Sequence, residues 1–135
     1  REGYMAALHA AGMTPVTWPN EDQDMPSGIE LGAAFFDHCL NDNPHTDAVI
    51  CVSDTVAVGV LCEARRRNVD VPGVLAVSGF GGFDVARPSG FDLTTIEVPG
   101  KAIGVASAEA LLDPDAARAR KVIDLGYKLV VRGTA

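Results

Sequence analysis

The chain has 135 residues and a formal net charge of −7, with 47% hydrophobic residues and three cysteines. That is one domain's worth of sequence, and the acidic balance argues against a duplex-binding surface, whose affinity rests on neutralising phosphates. No apolar run approaches the roughly 18 residues of a membrane-spanning helix, because charges and glycines interrupt each of them.

In chain order, Tyr4, Met5, Leu8 and Ala11 recur at helical spacing, and Gly12 supplies a stop. The start at Arg1, without a strand ahead of this helix, suggests a piece of a longer protein. Thr14 to Thr17 is predicted as a short strand. Ser27-Gly28-Ile29-Glu30 has the form of a capping box, with Ser27 as N-cap of a helix reaching about Leu40. Ala48 to Val52 is an apolar run that ends in Ser53-Asp54, and a helix is expected from about Asp54 to Arg67. Val74 to Val77 is a second apolar run, ending in Ser78-Gly79-Phe80-Gly81-Gly82. Two such runs joined by one helix predict a βαβ unit with parallel strands buried on both faces. The first half of the central helix is apolar nearly all round, which predicts burial on every side, one face on the sheet and the other on a second subunit. Leu93 to Val98 reads as a strand. A small-residue helix follows from about Lys101 to Leu112, and Lys121–Leu125 and Tyr127–Arg132 read as two short strands or one bent one.

Ligands in open α/β sheets lie outside the carboxyl ends of the strands, here Ser53-Asp54 and Phe80-Gly81-Gly82. Ser53 or Asp54 at that point is also an ordinary N-cap. The two roles are compatible, with Ser53 capping while the Asp54 carboxylate accepts hydrogen bonds from ligand hydroxyls. Enzymatic motifs are missing. Gly79-Phe80-Gly81-Gly82 is not GxGxxG, Gly100-Lys101 lacks the rest of a P-loop, and no GxSxG elbow surrounds Ser53. His9, His38 and His45 never pair at metal-binding spacing, so neither a metal nor a cofactor is expected. Cys39, Cys51 and Cys62 show no CxxC spacing, and Cys51 and Cys62, within a strand and a helix, are expected to act as small buried hydrophobes in a reducing compartment.

Taken together, Gly3-Tyr4-Met5-Ala6-Ala7-Leu8, Ala48 to Gly59, Val71-Pro72 with Val77-Ser78-Gly79-Phe80, and Leu93-Thr94-Thr95-Ile96 before Pro99 resemble, in order and spacing, the corresponding segments of LacI/GalR-family transcriptional regulators. Within that family Gly79 to Asp84 and Ile123 to Leu129 look most like its gluconate-responsive repressors. The resemblance implies a type I periplasmic-binding-protein-like α/β effector domain, of which the chain supplies mostly the C-terminal lobe. Residues 1–98 would be that lobe without its first strand, 99–120 the return helix of the N-terminal lobe, and 121–135 the C-terminal strands. It further implies a cytoplasmic homodimer that binds a sugar or sugar acid, with operator DNA bound through a part outside this chain and no role for a membrane. By position, Asp54 matches a family aspartate that contacts effector hydroxyls, with Ser53 in place of the usual Asn. Ser27 falls at a cleft position, Gly81 stands where the family pattern has a ligand-contacting aspartate, and Val98 replaces a polar residue at the inter-lobe crossover. The family's effector arginine would lie just before Arg1. Ala57, Val58, Leu61 and Phe83 match its dimer face. Other readings are a transport-type sugar-binding protein and, from a different class, a small α/β hydrolase using Ser53.

Overall fold

A computed structural model describes residues 2–18, 28–113 and 122–135. Four helices, α1 (Glu2–Ala10), α2 (Ile29–Asp42), α3 (Asp54–Arg66) and α4 (Gly100–Leu112), accompany four strands, β1 (Ala48–Ile50), β2 (Ala76–Gly81), β3 (Thr94–Glu97) and β4 (Lys128–Val130). The sheet order is β1-β2-β3-β4. The first three strands are parallel, in register at Val49 with Val77 and at Gly79 with Thr95, and β4 runs antiparallel to β3. The predicted βαβ unit is β1–α3–β2.

Strand alternation sends Val49, Cys51 and Val77 beneath the helices and leaves Ile50, Val52 and Phe80 exposed, so the expectation of strands buried on both faces is corrected: among the described residues, helices cover one face. The core joins Phe36 and Cys39 of α2 and Val56, Ala57, Val60, Leu61 and Ala64 of α3 to the sheet, with Leu75 and Leu93 at its base. Helices α2 and α3 meet backbone to backbone. A Cβ on Gly59 would overlap the Ile29 carbonyl oxygen and stand 2.9 Å from the Ala33 nitrogen, and one on Gly32 would overlap the Val56 carbonyl oxygen. This contact corrects one expectation. The side of α3 predicted to meet a second subunit is covered by the chain's own α2, so Ala57, Val58 and Leu61 are buried within the chain at 0%, 3% and 7% exposure.

Other expectations also change. Residues 13–18 form no strand, and Tyr4 donates its hydroxyl hydrogen to the Val16 carbonyl at 3.0 Å. Gly28, not Ser27, is the N-cap of α2, at a φ of 88° and without a side-chain hydrogen bond. Ser27 itself lies outside the described residues, as do Lys121 and residues 114–120 of the predicted return segment. Residues 122–127 are irregular, and only Lys128–Val130 is a strand. The tail beyond it stitches the base of the sheet: the Thr134 hydroxyl donates to the Val77 carbonyl at 2.7 Å and accepts from Thr94 N–H at 2.9 Å.

Cys39 and Cys51 are buried as small hydrophobes, but Cys62 is exposed because it falls on the solvent side of α3. Burial pushes the Cys39 thiol from 9.0 up to about 11 and, with Cys39 nearby, the Cys51 thiol up to about 12. In native buffer an aromatic disulfide reagent is therefore expected to titrate Cys62 rapidly and the other two only after unfolding. The folded chain keeps two protons that an unfolded chain releases near pH 9. Their stabilising contribution is complete below that pH and is lost as pH rises through about 11 to 12, which denaturant midpoints at stepped alkaline pH would show.

Candidate functional site at the carboxyl edge of the sheet

Strands β1, β2 and β3 run in one direction, so the residues that follow them collect at one edge: Ser53, then Gly81 and Gly82, then Val98. Ser53 is extended, with φ −154° and ψ 161°, and its Oγ accepts from Val56 N–H at 3.3 Å. It also shares a hydrogen bond with the Thr55 hydroxyl at 3.1 Å. Ser53 is thus a working N-cap, half-buried and level with the sheet edge.

Asp54, the first residue of α3, is 0% exposed. Its Oδ2 accepts from Phe83 N–H at 2.7 Å and its Oδ1 from the Thr95 hydroxyl at 2.5 Å. Short bonds of this kind are charge-assisted, and the N-terminus of α3 adds favourable dipoles. The sequence makes room for the carboxylate, since a Cβ on Gly79 would overlap Oδ1 and come 3.1 Å from the Asp54 Cα. Beyond Phe80 the backbone turns at Gly81 (φ 129°) and Gly82 (φ 75°), conformations L side chains rarely adopt, and this turn delivers the Phe83 N–H to Asp54. The expectation that the Asp54 carboxylate stands open to ligand hydroxyls is corrected: both of its oxygens are engaged inside the protein.

The next carboxylate along the edge, Glu97, is also engaged. Arg132 Nη2 meets it at 3.0 Å while Arg132 Nη1 donates to the Leu93 carbonyl at 2.7 Å. Asp84 is 94% exposed and paired with Arg87 at 3.0 Å. The edge accordingly presents the Ser53 hydroxyl and the backbone of Gly81 and Gly82. Val98 borders a cleft of about 350 Å³ that Glu97, Pro99, Gly126, Tyr127 and Lys128 also line. Phe83, the fourth of the residues expected at a dimer face, is 51% exposed.

Sequence reasoning missed Thr95 and Gly79. Their signal was available, because a hydroxyl among buried strand residues requires a partner, and a glycine inside a strand marks a close approach. Among the described residues no three His, Cys, Asp or Glu side chains are grouped to hold a metal ion. None of the described helices is long and apolar enough to cross a membrane.

With the geometry in place, comparison with known proteins gives a consistent family. The sequence profile of the periplasmic binding protein-like domain matches residues 1–135. The chain is 35% identical over 144 residues to the HTH-type transcriptional regulator GntR of Pseudomonas aeruginosa, an alignment covering 97% of this chain and 38% of that protein. In crystal structures, transcription regulator GntR from Chromobacterium violaceum superposes with a TM-score of 0.84 at 33% identity, over 98% of this chain and 49% of that one. A LacI family regulator from Lactobacillus casei with bound glucose superposes with a TM-score of 0.76 at 26% identity, over 99% and 48%. The chain thus spans well under half of the curated relative and about half of each solved chain. It belongs to the periplasmic binding protein-like domain family, in the branch represented by the LacI-family transcriptional regulators.

Proposed function

We propose that the chain is the effector-sensing and dimerising part of a transcriptional repressor that responds to a sugar acid of the gluconate type. The observation that carries the reading is the character of the carboxyl edge. Asp54 is buried and doubly hydrogen-bonded, Glu97 is paired with Arg132, and the turn between them is glycine. An edge whose carboxylates Asp54 and Glu97 are both engaged suits an anionic polyol, which a bare aspartate would repel. The likeness to GntR regulators points the same way, and the glucose held by the Lactobacillus casei relative fits the broader class of sugars.

Effector contacts then fall to Ser53, the Gly81 backbone and Val98, and by the family resemblance to Ser27, which lies outside the described residues. Helix α4 buries none of its residues and exposes Ile103, Val105, Leu111 and Leu112, as expected of a helix that serves another lobe. Phe83 would contribute to a homodimer surface. Effector binding shifts the population between lobe arrangements and thereby the affinity for operator DNA, which is bound elsewhere in a cytoplasmic protein.

The test is calorimetric titration of the full-length protein with gluconate, other aldonates and neutral sugars. Saturable binding of an aldonate is expected, weakened by Ser53→Gly, which costs the N-cap only a few tenths of a kcal/mol but removes the hydroxyl. Binding of neutral sugars alone would remove the sugar-acid assignment. No binding of any sugar, together with a chain unresponsive to operator release, would remove the sensor reading.

A further inference from the structure

We propose that Asp54 is a positioning residue, which holds the Gly81–Phe83 turn in its effector-receiving shape without touching the effector, and that Thr95 is its partner in this task. The inference rests on the proposed sensor function for its consequence, but its geometry stands apart from it. Three segments of the sheet edge meet at one carboxylate. The start of α3 provides it, the turn after β2 donates Phe83 N–H at 2.7 Å, and β3 donates the Thr95 hydroxyl at 2.5 Å. Thr95 is 0% exposed, as is Asp54, so no effector reaches either side chain in this arrangement.

Gly81 closes β2 opposite Glu97, but Gly82 lies beyond the ladder with no side chain to fix its backbone, and a residue of this kind occupies several conformations unless something holds it. The described hydrogen bond that ties the turn to the helix is the one from Phe83 N–H to Asp54. Gly79 belongs to the same device, because any side chain at that position would displace the Asp54 carboxylate. Removing the clasp would leave the turn's chemistry intact but lower the fraction of molecules in which it faces the ligand, and apparent affinity falls by that fraction.

The discriminating variants act on Thr95, which lies beneath the site. In the full-length protein Thr95→Val removes the donor at nearly constant volume, whereas Thr95→Ser retains it. Gluconate affinity is expected to fall by about tenfold in Thr95→Val, as for a competent population reduced to about a tenth, and to remain at the wild-type value in Thr95→Ser. Amide exchange at Phe83 is expected to be slow in wild type and Thr95→Ser and fast in Thr95→Val. If Thr95→Val fails to fold, Asp54→Asn takes its place, with the Phe83 amide again the reporter.

Three outcomes would overturn the proposal. One is lost binding in Asp54→Asn with unchanged binding in Thr95→Val, which would make the carboxylate a direct contact. Another is a lowered melting temperature in Thr95→Val with unchanged affinity, which would make the clasp structural only. The third is Phe83 exchange equal in all variants. If wild type binds no aldonate, the sugar-acid reading fails, and the Phe83 exchange pattern still decides whether the clasp holds the turn.

Discussion

Gly59→Ala is expected to destabilise the protein by about 3 kcal/mol, although alanine is the better helix former by about 1 kcal/mol. The sign follows from the α2–α3 contact. The new methyl group would sit on the Ile29 carbonyl oxygen and 2.9 Å from both the Ala33 nitrogen and the Gly32 Cα, and none of these is a flexible side-chain end that can swing aside. The helices must separate, and Phe36, Val60 and Leu61 lose packing across the whole interface. Gly104→Ala is the matched control, since nothing lies within 4 Å of a Cβ there and α4 is otherwise a good helix. It is expected to raise stability by a few tenths to about 1 kcal/mol. Urea unfolding of both variants checks the pair, and a Gly59→Ala protein as stable as wild type would show that the helices are not in backbone contact.

Asp54→Ala is expected to cost about 2–4 kcal/mol, the range for removing a buried group that satisfies two donors. The Phe83 N–H and the Thr95 hydroxyl would both lose their acceptor, and the Thr95 hydroxyl has no exposure through which water could replace it. A cap alone is worth about 1 kcal/mol, and the cap of α3 is Ser53, which this substitution leaves in place. Unfolding measurements therefore separate the two roles by size. A loss under about 0.5 kcal/mol would fit an exposed carboxylate waiting for a ligand, not the clasp described above.

The α/β class, the parallel β1–α3–β2 unit and the carboxyl edge it creates were legible because their signals are local. An apolar run of strand length, a cap residue and a 3.6-residue period each report on neighbours in the chain. The apolar girth of α3 was legible too, but its cause was assigned to a second subunit. Periodicity states that a face is buried and is silent about what buries it, and only the Gly32–Gly59 approach identifies α2 as the cover. Ser53 is open to both readings in sequence, and in the structure its hydroxyl caps α3 through Val56 N–H. Asp54 is legible as a residue of the edge, but its internal partners are not, because Phe83 and Thr95 are 29 and 41 residues away. The predicted strand at Thr14–Thr17 failed for want of a neighbour, since extended segments gain most of their stability from pairing.

The register of β3 with β4 has a mechanical consequence. Glu97, where the chain leaves the sheet toward α4, is paired directly with Lys128, where it returns. The excursion is thus fastened by two straps lying side by side and hydrogen-bonded to one another. Two adjacent straps permit bending about the line across them but resist swivelling, which a single connection would allow. A load carried by α4 is therefore expected to bend about that line more readily than to swivel, and the line runs through Glu97, the neighbour of Val98.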